Sequence, residues 1–304
     1  MNFFQSHFGE IAALTTAFFW TTTALAFESA SKKIGSLVVN FLRLFFAFLI
    51  FCIYTYFSRG KFFPIDASLH TWFWLGLSAV FGFLFGDLLL FKAFTVIGAR
   101  ISMLIMSLVP PIAAFAGWLI LGETMSLQNL FGMTLTLVGI AIVVLTRKTD
   151  EETDVKKFTF SYSVKGLLFA LCGAFGQAIG MVLSKLGMGH YDAFAASQIR
   201  VLVGAVGFGI IFTVLRRWNE VFESFKNAKA MRRLSVGTFF GPFLGVAFSL
   251  LAVQNTSAGI ASTLMSIVPI LIIAPSVVLF KEKVTVKEIL GAFISVIGVV
   301  LFFI

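Results

Sequence analysis

Long apolar segments follow one another along most of the chain and are separated by short polar stretches. Each has about 20 residues, which as an α-helix crosses roughly 30 Å of hydrocarbon. None alternates polar and apolar residues as a membrane β-strand does. The pattern therefore predicts an all-α membrane protein with ten transmembrane helices. The predicted spans are 9–28, 36–57, 70–91, 99–121, 127–146, 164–185, 193–215, 234–254, 258–279 and 287–304.

The segment from Ala99 to Leu145 occurs a second time from Ala258 onward, at a constant offset of 159 residues. Spans one to three also match spans six to eight, at offsets of 157 and 159. Such self-similarity indicates a duplicated unit of five helices. Because five is odd, the second copy starts on the opposite side of the membrane, which predicts two inverted five-helix repeats. The predicted units are residues 1–146, a charged linker at 147–163, and residues 164–304.

Composition and charge narrow the environment of the chain. Hydrophobic residues make up 59% of it, charged residues make up 12%, and the mean hydropathy is +0.99. These values exclude a soluble domain and predict a lipid bilayer. The net charge of +9 resides mainly in short connecting loops, so we expect no nucleic-acid partner. One set of loops holds 18 Lys and Arg residues and the other holds Arg59, Lys61 and Lys185, a bias that taken alone places both termini outside.

Three charged residues lie well inside predicted spans. Arg43 and Asp87 lie at similar depths on the same side of the membrane, so we predict an ion pair between them. That pair either contributes to transport coupling or only locks two helices together. At the offset of 159, Asp87 corresponds to Val246, which leaves Arg200 without an equivalent carboxylate. Arg200 then either reaches the surface or faces a cavity and binds an anionic group, such as a substrate carboxylate.

A tryptophan and a glutamine near mid-membrane are further candidates for substrate binding. Trp20 and Gln177 correspond to each other at the offset of 157. An aromatic face and an amide suit a small amphipathic metabolite. Contacts made only for helix packing are the alternative.

The fourth and ninth spans each contain a Ser-x-x-Pro sequence, from Ser107 to Pro110 and from Ser266 to Pro269. Proline removes a backbone donor and frees a carbonyl, so we expect both spans to bend there. We predict Pro110 and Pro269 as hinges and Ser107 and Ser266 as substrate contacts. Kinks that serve only packing are the alternative, because membrane helices tolerate proline.

Two features outside the spans also predict local structure. Glu123 and Glu282 precede the last helix of each repeat, where a negative charge stabilises a helix N-terminus. Trp218, Phe222 and Phe225 recur at helical spacing among charged residues, which predicts a short helix in the membrane interface.

Taken together, these features resemble the EamA-type transporters of the drug/metabolite transporter superfamily. The resemblance rests on two five-helix repeats, each with an arginine early in its second helix, the Ser-x-x-Pro sequence, a following glutamate and a Gly-spaced last helix. It implies a multi-pass carrier of the cell inner (plasma) membrane with a central cavity between the repeats. It also implies export of a small metabolite, an amino acid or a related compound. Members of that family are usually drawn with both termini in the cytoplasm, opposite to the charge bias.

Other classes of function find little support in the sequence. No Walker motif occurs and no nucleotide-binding domain fits, so no ATPase subunit is implied. His7, His70 and His190 are scattered, and we expect no metal, no cofactor and no catalytic residue. We predict a secondary transporter that works by alternating access, as a monomer or homodimer. The alternatives are a membrane-embedded enzyme for a lipid or isoprenoid substrate and a multidrug exporter for cations.

Overall fold

The structure is a computed structural model that describes residues 3–146, 163–271 and 285–303. Every regular element in these three ranges is helical. Six helices are long and apolar enough to cross a membrane, and four apolar helices are shorter, with 10–17 residues. The chain is therefore a multi-pass helical membrane protein. Both described ends of the chain lie together, since the rings of His7 and Phe303 are 5.3 Å apart; we call this the terminal end of the bundle.

Each half of the chain contributes one set of helices. After a single turn at Phe3–Ser6, the first half contains α1 (Phe8–Ile34), α2 (Ser36–Arg59), α3 (Leu69–Ala79), the π-helical segment π1 (Val80–Asp87), α4 (Leu88–Met106), α5 (Val109–Leu121) and α6 (Leu127–Thr146). The second half contains α7 (Val164–Met188), α8 (Ala193–Leu215), the short α9 (Trp218–Ser224), α10 (Ala228–Thr238), the π-helical segment π2 (Phe239–Gly245), α11 (Val246–Asn255), α12 (Ala258–Met265), α13 (Val268–Leu271) and α14 (Val286–Val300).

The boundary predicted between the third and fourth spans is wrong, because the backbone is helical from Leu69 to Met106 without interruption. The second half does break at the corresponding place, between α11 and α12. There the Ser257 hydroxyl accepts a hydrogen bond from Ile260 N at 3.3 Å and caps α12. At the offset of 159 the first half has Gly98, which carries no side-chain oxygen to cap a new helix.

The Ser-x-x-Pro sequences interrupt their helices rather than bend them. In the first half the helix stops after Met106 and α5 begins at Val109; in the second it stops after Met265 and α13 begins at Val268. Pro110 follows Val109, and Pro269 occupies the equivalent position in the first turn of α13, where a missing N–H leaves no hydrogen bond unmade. Residues 272–279 of the predicted ninth span lie outside the described residues.

The helices pack in pairs that are exchanged between the two halves. α1 contacts π2 and α11, and in the same way α7 contacts π1 and α4. α2 packs on α8, α5 on α12, and α6 on α14. Each of these contacts joins a helix of one half to a helix of the other, so the core lies between the halves.

Helices α6 and α14 approach each other closely and run antiparallel. A Cβ added to Gly132 would lie 2.9 Å from the Gly298 carbonyl oxygen, and one added to Gly139 would lie 2.5 Å from the Gly291 carbonyl oxygen. At the offset of 159, Gly132 corresponds to Gly291 and Gly139 to Gly298, so the two contacts are the same contact with the halves exchanged. Small residues at these positions let the backbones meet.

We expect Gly139→Ala to lower the melting temperature of the detergent-purified protein. A methyl group there meets the backbone of α14, and overpacking costs about 1–3 kcal/mol, which exceeds the gain of up to about 1 kcal/mol from the better helix propensity of alanine. Gly76→Ala is the matched control, because the nearest atom to its added Cβ is Val203 Cγ2 at 3.8 Å. Equal melting temperatures for the two variants would contradict the packing described here.

Candidate functional site

Two π-helical segments at equivalent places, π1 and π2, position the centre of the molecule. π-Helical turns are rare and occur frequently at functional sites. Glycines in π1 let other helices approach its backbone: a Cβ on Gly86 would lie 3.2 Å from Gln177 N, and one on Gly82 would lie 3.1 Å from Arg200 Nη2. Gly82 and Gly86 therefore bring polar side chains of the second half against the first half.

A cavity of about 180 Å³ lies between the two halves. Six of the residues predicted from the sequence to act in transport line it: Trp20, Arg43, Asp87, Gln177, Arg200 and Ser266. The other three, Ser107, Pro110 and Pro269, lie at the helix breaks rather than among the lining residues. The structure thus brings together residues that are up to 246 positions apart in the sequence.

Arg43 and Asp87 contact each other inside the bundle. Arg43 donates from Nη2 to Asp87 Oδ2, and its Nε donates to Asn40 Oδ1 at 3.0 Å. The second carboxylate oxygen, Asp87 Oδ1, accepts from the Gln177 amide, which also donates to the Gly82 carbonyl at 3.1 Å. Both Asp87 oxygens are therefore occupied, as a buried carboxylate requires.

Arg200 lies in the same cavity but has no such partner. Its guanidinium carbon is 4.9 Å from the centre of the Phe83 ring, a cation–π contact. Within the described residues it makes no hydrogen bond and no ion pair, and its Nε is buried. Arg43, Asp87 and Arg200 are each only 6% exposed. Of the two alternatives for Arg200, the structure has the one in which it faces a cavity rather than the surface.

The formal charges of the side chains that line the cavity do not sum to zero. Two arginines and one aspartate line it, which leaves a net charge of +1. The remaining walls are mainly apolar and include aromatic side chains that the sequence did not single out: Phe27, Phe83, Phe91 and Phe94. The sequence did contain a signal for Phe83, because this residue lies between Gly82 and Gly86, two glycines at the spacing that marks a close helix contact. A charged centre with apolar walls is suited to bind a small amphipathic anion.

A polar network closes the terminal end of the bundle, beyond the cavity. Lys185 Nζ lies 2.5 Å from Glu123 Oε1 and 2.5 Å from the Thr256 carbonyl oxygen. The Thr256 hydroxyl donates to Glu10 Oε1 at 2.9 Å. We call Glu10, Glu123, Lys185 and Thr256 the terminal latch. It joins the two halves, because Glu10 and Glu123 belong to the first and Lys185 and Thr256 to the second.

The terminal latch corrects the expected role of Glu123. Glu123 Oε2 accepts a hydrogen bond from Ala258 N at 2.8 Å, so its negative charge stabilises the N-terminus of α12 in the other half, not that of α6. Ser126 caps α6 instead, accepting from Asn129 N at 3.1 Å. Glu282 lies outside the described residues. A short helix is present at the predicted place as α9, with Phe222 exposed and Val221 buried, and its position in the membrane interface stays a prediction.

The described residues contain no group of three or more His, Cys, Asp or Glu side chains that converges as a metal site requires.

Comparison with known proteins gives matches over most of the chain. The EamA-like transporter family matches residues 7–145 and 164–304. An uncharacterized transporter YvbV of Bacillus subtilis is 23% identical over 193 residues, 63% of this chain and 59% of that protein. An uncharacterized transporter of Clostridium kluyveri is 24% identical over 181 residues, 60% of this chain and 56% of that protein. The chain thus spans less than two thirds of the length of these two relatives.

A solved crystal structure shares the fold. It superposes with a TM-score of 0.70 and 17% sequence identity, and the superposition covers 97% of this chain and 96% of that one. At this identity the likeness concerns the fold alone.

We expect Asp87→Asn to destabilise the protein by about 3–5 kcal/mol, because it leaves the Arg43 charge buried without its counter-charge. Arg200→Gln is the matched control. It removes a buried charge that makes no hydrogen bond and no direct ion pair within the described residues, so its melting temperature should equal or exceed that of the wild type. Thermal melts of the purified variants measure both effects; a melting temperature that falls more for Arg200→Gln than for Asp87→Asn would show that the partners are assigned wrongly.

Proposed function

The chain belongs to the EamA-like transporter family, which confirms the resemblance drawn from its duplicated motifs, and we propose that it is a secondary transporter of a small metabolite. We further propose that it works by alternating access in the inner membrane and that it exports an amino acid or a related compound. The export direction and the inner membrane rest on the family resemblance alone. The family and the transporter names of the relatives point to a role other than catalysis.

The observation that carries the proposal is the unpaired Arg200 in a cavity between the halves. Keeping a charge buried in a membrane costs several kcal/mol, so a partner is expected. A guanidinium presents a planar set of donors that matches a carboxylate. We infer that a carboxylate of the substrate supplies the missing acceptor. Trp20, Gln177 and Ser266 line the same cavity and complete the proposed contact surface, with Ser107 at the adjoining helix break.

An inverted repeat of ten helices is the architecture that we propose for this mechanism. The six long and four short apolar helices together number ten within the described residues. The reciprocal contacts of Gly132 with Gly298 and of Gly139 with Gly291 favour a two-fold axis perpendicular to α6 and α14. For helices that cross a bilayer, such an axis lies in the membrane plane. Exchange of the conformations of the two halves would then open the cavity to either side.

In the proposed mechanism, the terminal latch and the two helix breaks are the parts of the protein that move. Ser262, which lines the cavity, is one helical turn from Ala258, whose N–H the latch binds. We infer that the latch closes the cavity at the terminal end and separates when the cavity opens there. The breaks before Pro110 and Pro269 divide helices next to the cavity, and we propose them as hinges that permit this movement.

Other functions have weaker support. A cation exporter needs a free carboxylate, whereas both oxygens of Asp87 are engaged by Arg43 and Gln177. The Arg43–Asp87 pair is proposed to keep the cavity charge fixed, or to take part in coupling if it opens during transport. An enzyme that acts on lipid would need free polar groups clustered at one interface, whereas the polar cluster at the terminal end, the terminal latch, is engaged in contacts between the two halves.

We expect Arg200→Gln to reduce transport in reconstituted vesicles while leaving the amount of folded protein unchanged. A charge-assisted hydrogen bond contributes about 1.5–3 kcal/mol, which corresponds to a loss of roughly tenfold to a hundredfold in kcat/KM. The measurement is uptake of radiolabelled amino acids, organic anions and cations with and without a pH gradient. Arg217→Gln is the control, since Arg217 forms an exposed pair with Glu220. Wild-type rates for a substrate in Arg200→Gln would refute the assigned contact.

We expect Lys185→Met to increase access to the cavity from the terminal end. In a background with Cys52 and Cys172 replaced by Ser, a cysteine is introduced as Ser266→Cys and labelled with a membrane-impermeant thiol reagent. An ion pair of this kind contributes about 1 kcal/mol, so labelling should accelerate severalfold. Lys61→Met is the control, because Lys61 pairs with Asp66 outside the latch. Identical labelling rates in the two variants would contradict the gating role.

A further inference from the structure

We propose that the cavity selects small organic monocarboxylates that lack an ammonium group and rejects the corresponding zwitterionic amino acids. This inference rests on the proposed carrier function and names the substrate class of the same site. Of the amino acids and related compounds proposed above, it keeps only the compounds that lack the amino group, such as aromatic or branched aliphatic carboxylates.

The first reason is the charge of the cavity. Arg43 and Asp87 form a direct ion pair, whereas Asp87 attracts Arg200 without touching it, and the three groups together carry a charge of +1. One carboxylate brings the sum to zero. A zwitterion brings no net charge, and its ammonium would enter a space that already holds two guanidinium groups. A dianion would overcompensate in a space with apolar walls.

The second reason is the lack of a negatively charged acceptor for an ammonium. Asp87 is the acidic residue among the lining side chains, and it accepts from Arg43 on one oxygen and from Gln177 on the other. The lining hydroxyls donate to carbonyls of their own helices, as Ser249 does to Val246 O at 2.7 Å. Their oxygens can accept a hydrogen bond but carry no charge to offset the repulsion from the arginines.

The aromatic faces near the arginines are engaged as well. The guanidinium carbon of Arg43 is 5.0 Å from the centre of the Phe91 ring and 5.6 Å from that of Phe27, and Arg200 covers Phe83. These rings thus already make the cation–π contacts that an ammonium would otherwise use.

The third reason is size. An apolar cavity of about 150 Å³ holds one benzene molecule. The cavity here, of about 180 Å³, therefore fits one ring or branched chain with a carboxylate at Arg200. Phe94, Leu90 and Met106 supply apolar walls for that ring or chain.

The test is counterflow in proteoliposomes of the full chain near neutral pH, with compounds that share one apolar group and differ in charge. One series is 3-phenylpropanoate, L-phenylalanine, 2-phenylethylamine and phenyl phosphate; the other is 4-methylpentanoate and L-leucine. We expect the two carboxylates to exchange at least tenfold faster than every other compound. Arg200→Gln should abolish this preference, whereas Arg200→Lys should retain it in part, and both are compared only as folded, monodisperse protein.

The possible outcomes separate this inference from the carrier function. Faster exchange of L-phenylalanine or L-leucine would overturn the inference and leave a carrier for amino acids. Faster exchange of the amine or the phosphate would also overturn it and leave a carrier of another class. Exchange of no compound above protein-free vesicles would overturn the inference together with the proposed carrier function. A carboxylate preference that persists undiminished in Arg200→Gln would remove Arg200 as its cause.

Discussion

The structure depends on the cost of holding charged side chains in the part of the bundle that crosses the membrane. Lipid offers no hydrogen bonds, so each charge must find its partner within the protein or in a ligand. Arg43 and Asp87 meet this requirement together, with Gln177 and Asn40 completing the contacts. Among the described residues, Arg200 meets it through the face of Phe83 and the more distant charge of Asp87, without a hydrogen bond or a direct ion pair. A carrier needs its bound and empty states close in free energy, and a charge that is left partly unsatisfied until a substrate binds provides such a balance.

Duplication explains why the site is built from matching positions with different chemistry. Arg43 and Arg200 are equivalents in the two halves, but the position equivalent to Asp87 in the second half is Val246. Trp20 and Gln177 are equivalents as well: the Gln177 amide binds Asp87 and Gly82, while the indole of Trp20 lies against Gly245. The fold keeps the symmetry that packing needs. The loss of symmetry in the side chains gives the cavity its net positive charge.

The sequence predicted the parts of the fold that depend on regular patterns. Apolar length predicted membrane helices, and helix depth placed Arg43 near Asp87, because depth along a helix follows directly from residue count. The constant offset identified the two halves. Helix boundaries were less predictable: the missing cap at Gly98 lets one helix continue to Met106, and Ser257 ends the same element in the second half. The π-helical segments were missed, because their glycines also fit simple packing. The partner of Glu123 lies in the other half, beyond any local signal.

The central claim is that Arg200 receives the substrate anion, and its most direct test is a structure with a bromine-labelled aromatic carboxylate bound. We predict that anomalous scattering places the bromine among Phe27, Phe91 and Phe94, with the carboxylate within hydrogen-bond distance of the Arg200 guanidinium and the Arg43–Asp87 pair intact. A carboxylate bound at another place, or a bromine position unchanged in Arg200→Gln at equal occupancy, would contradict the account.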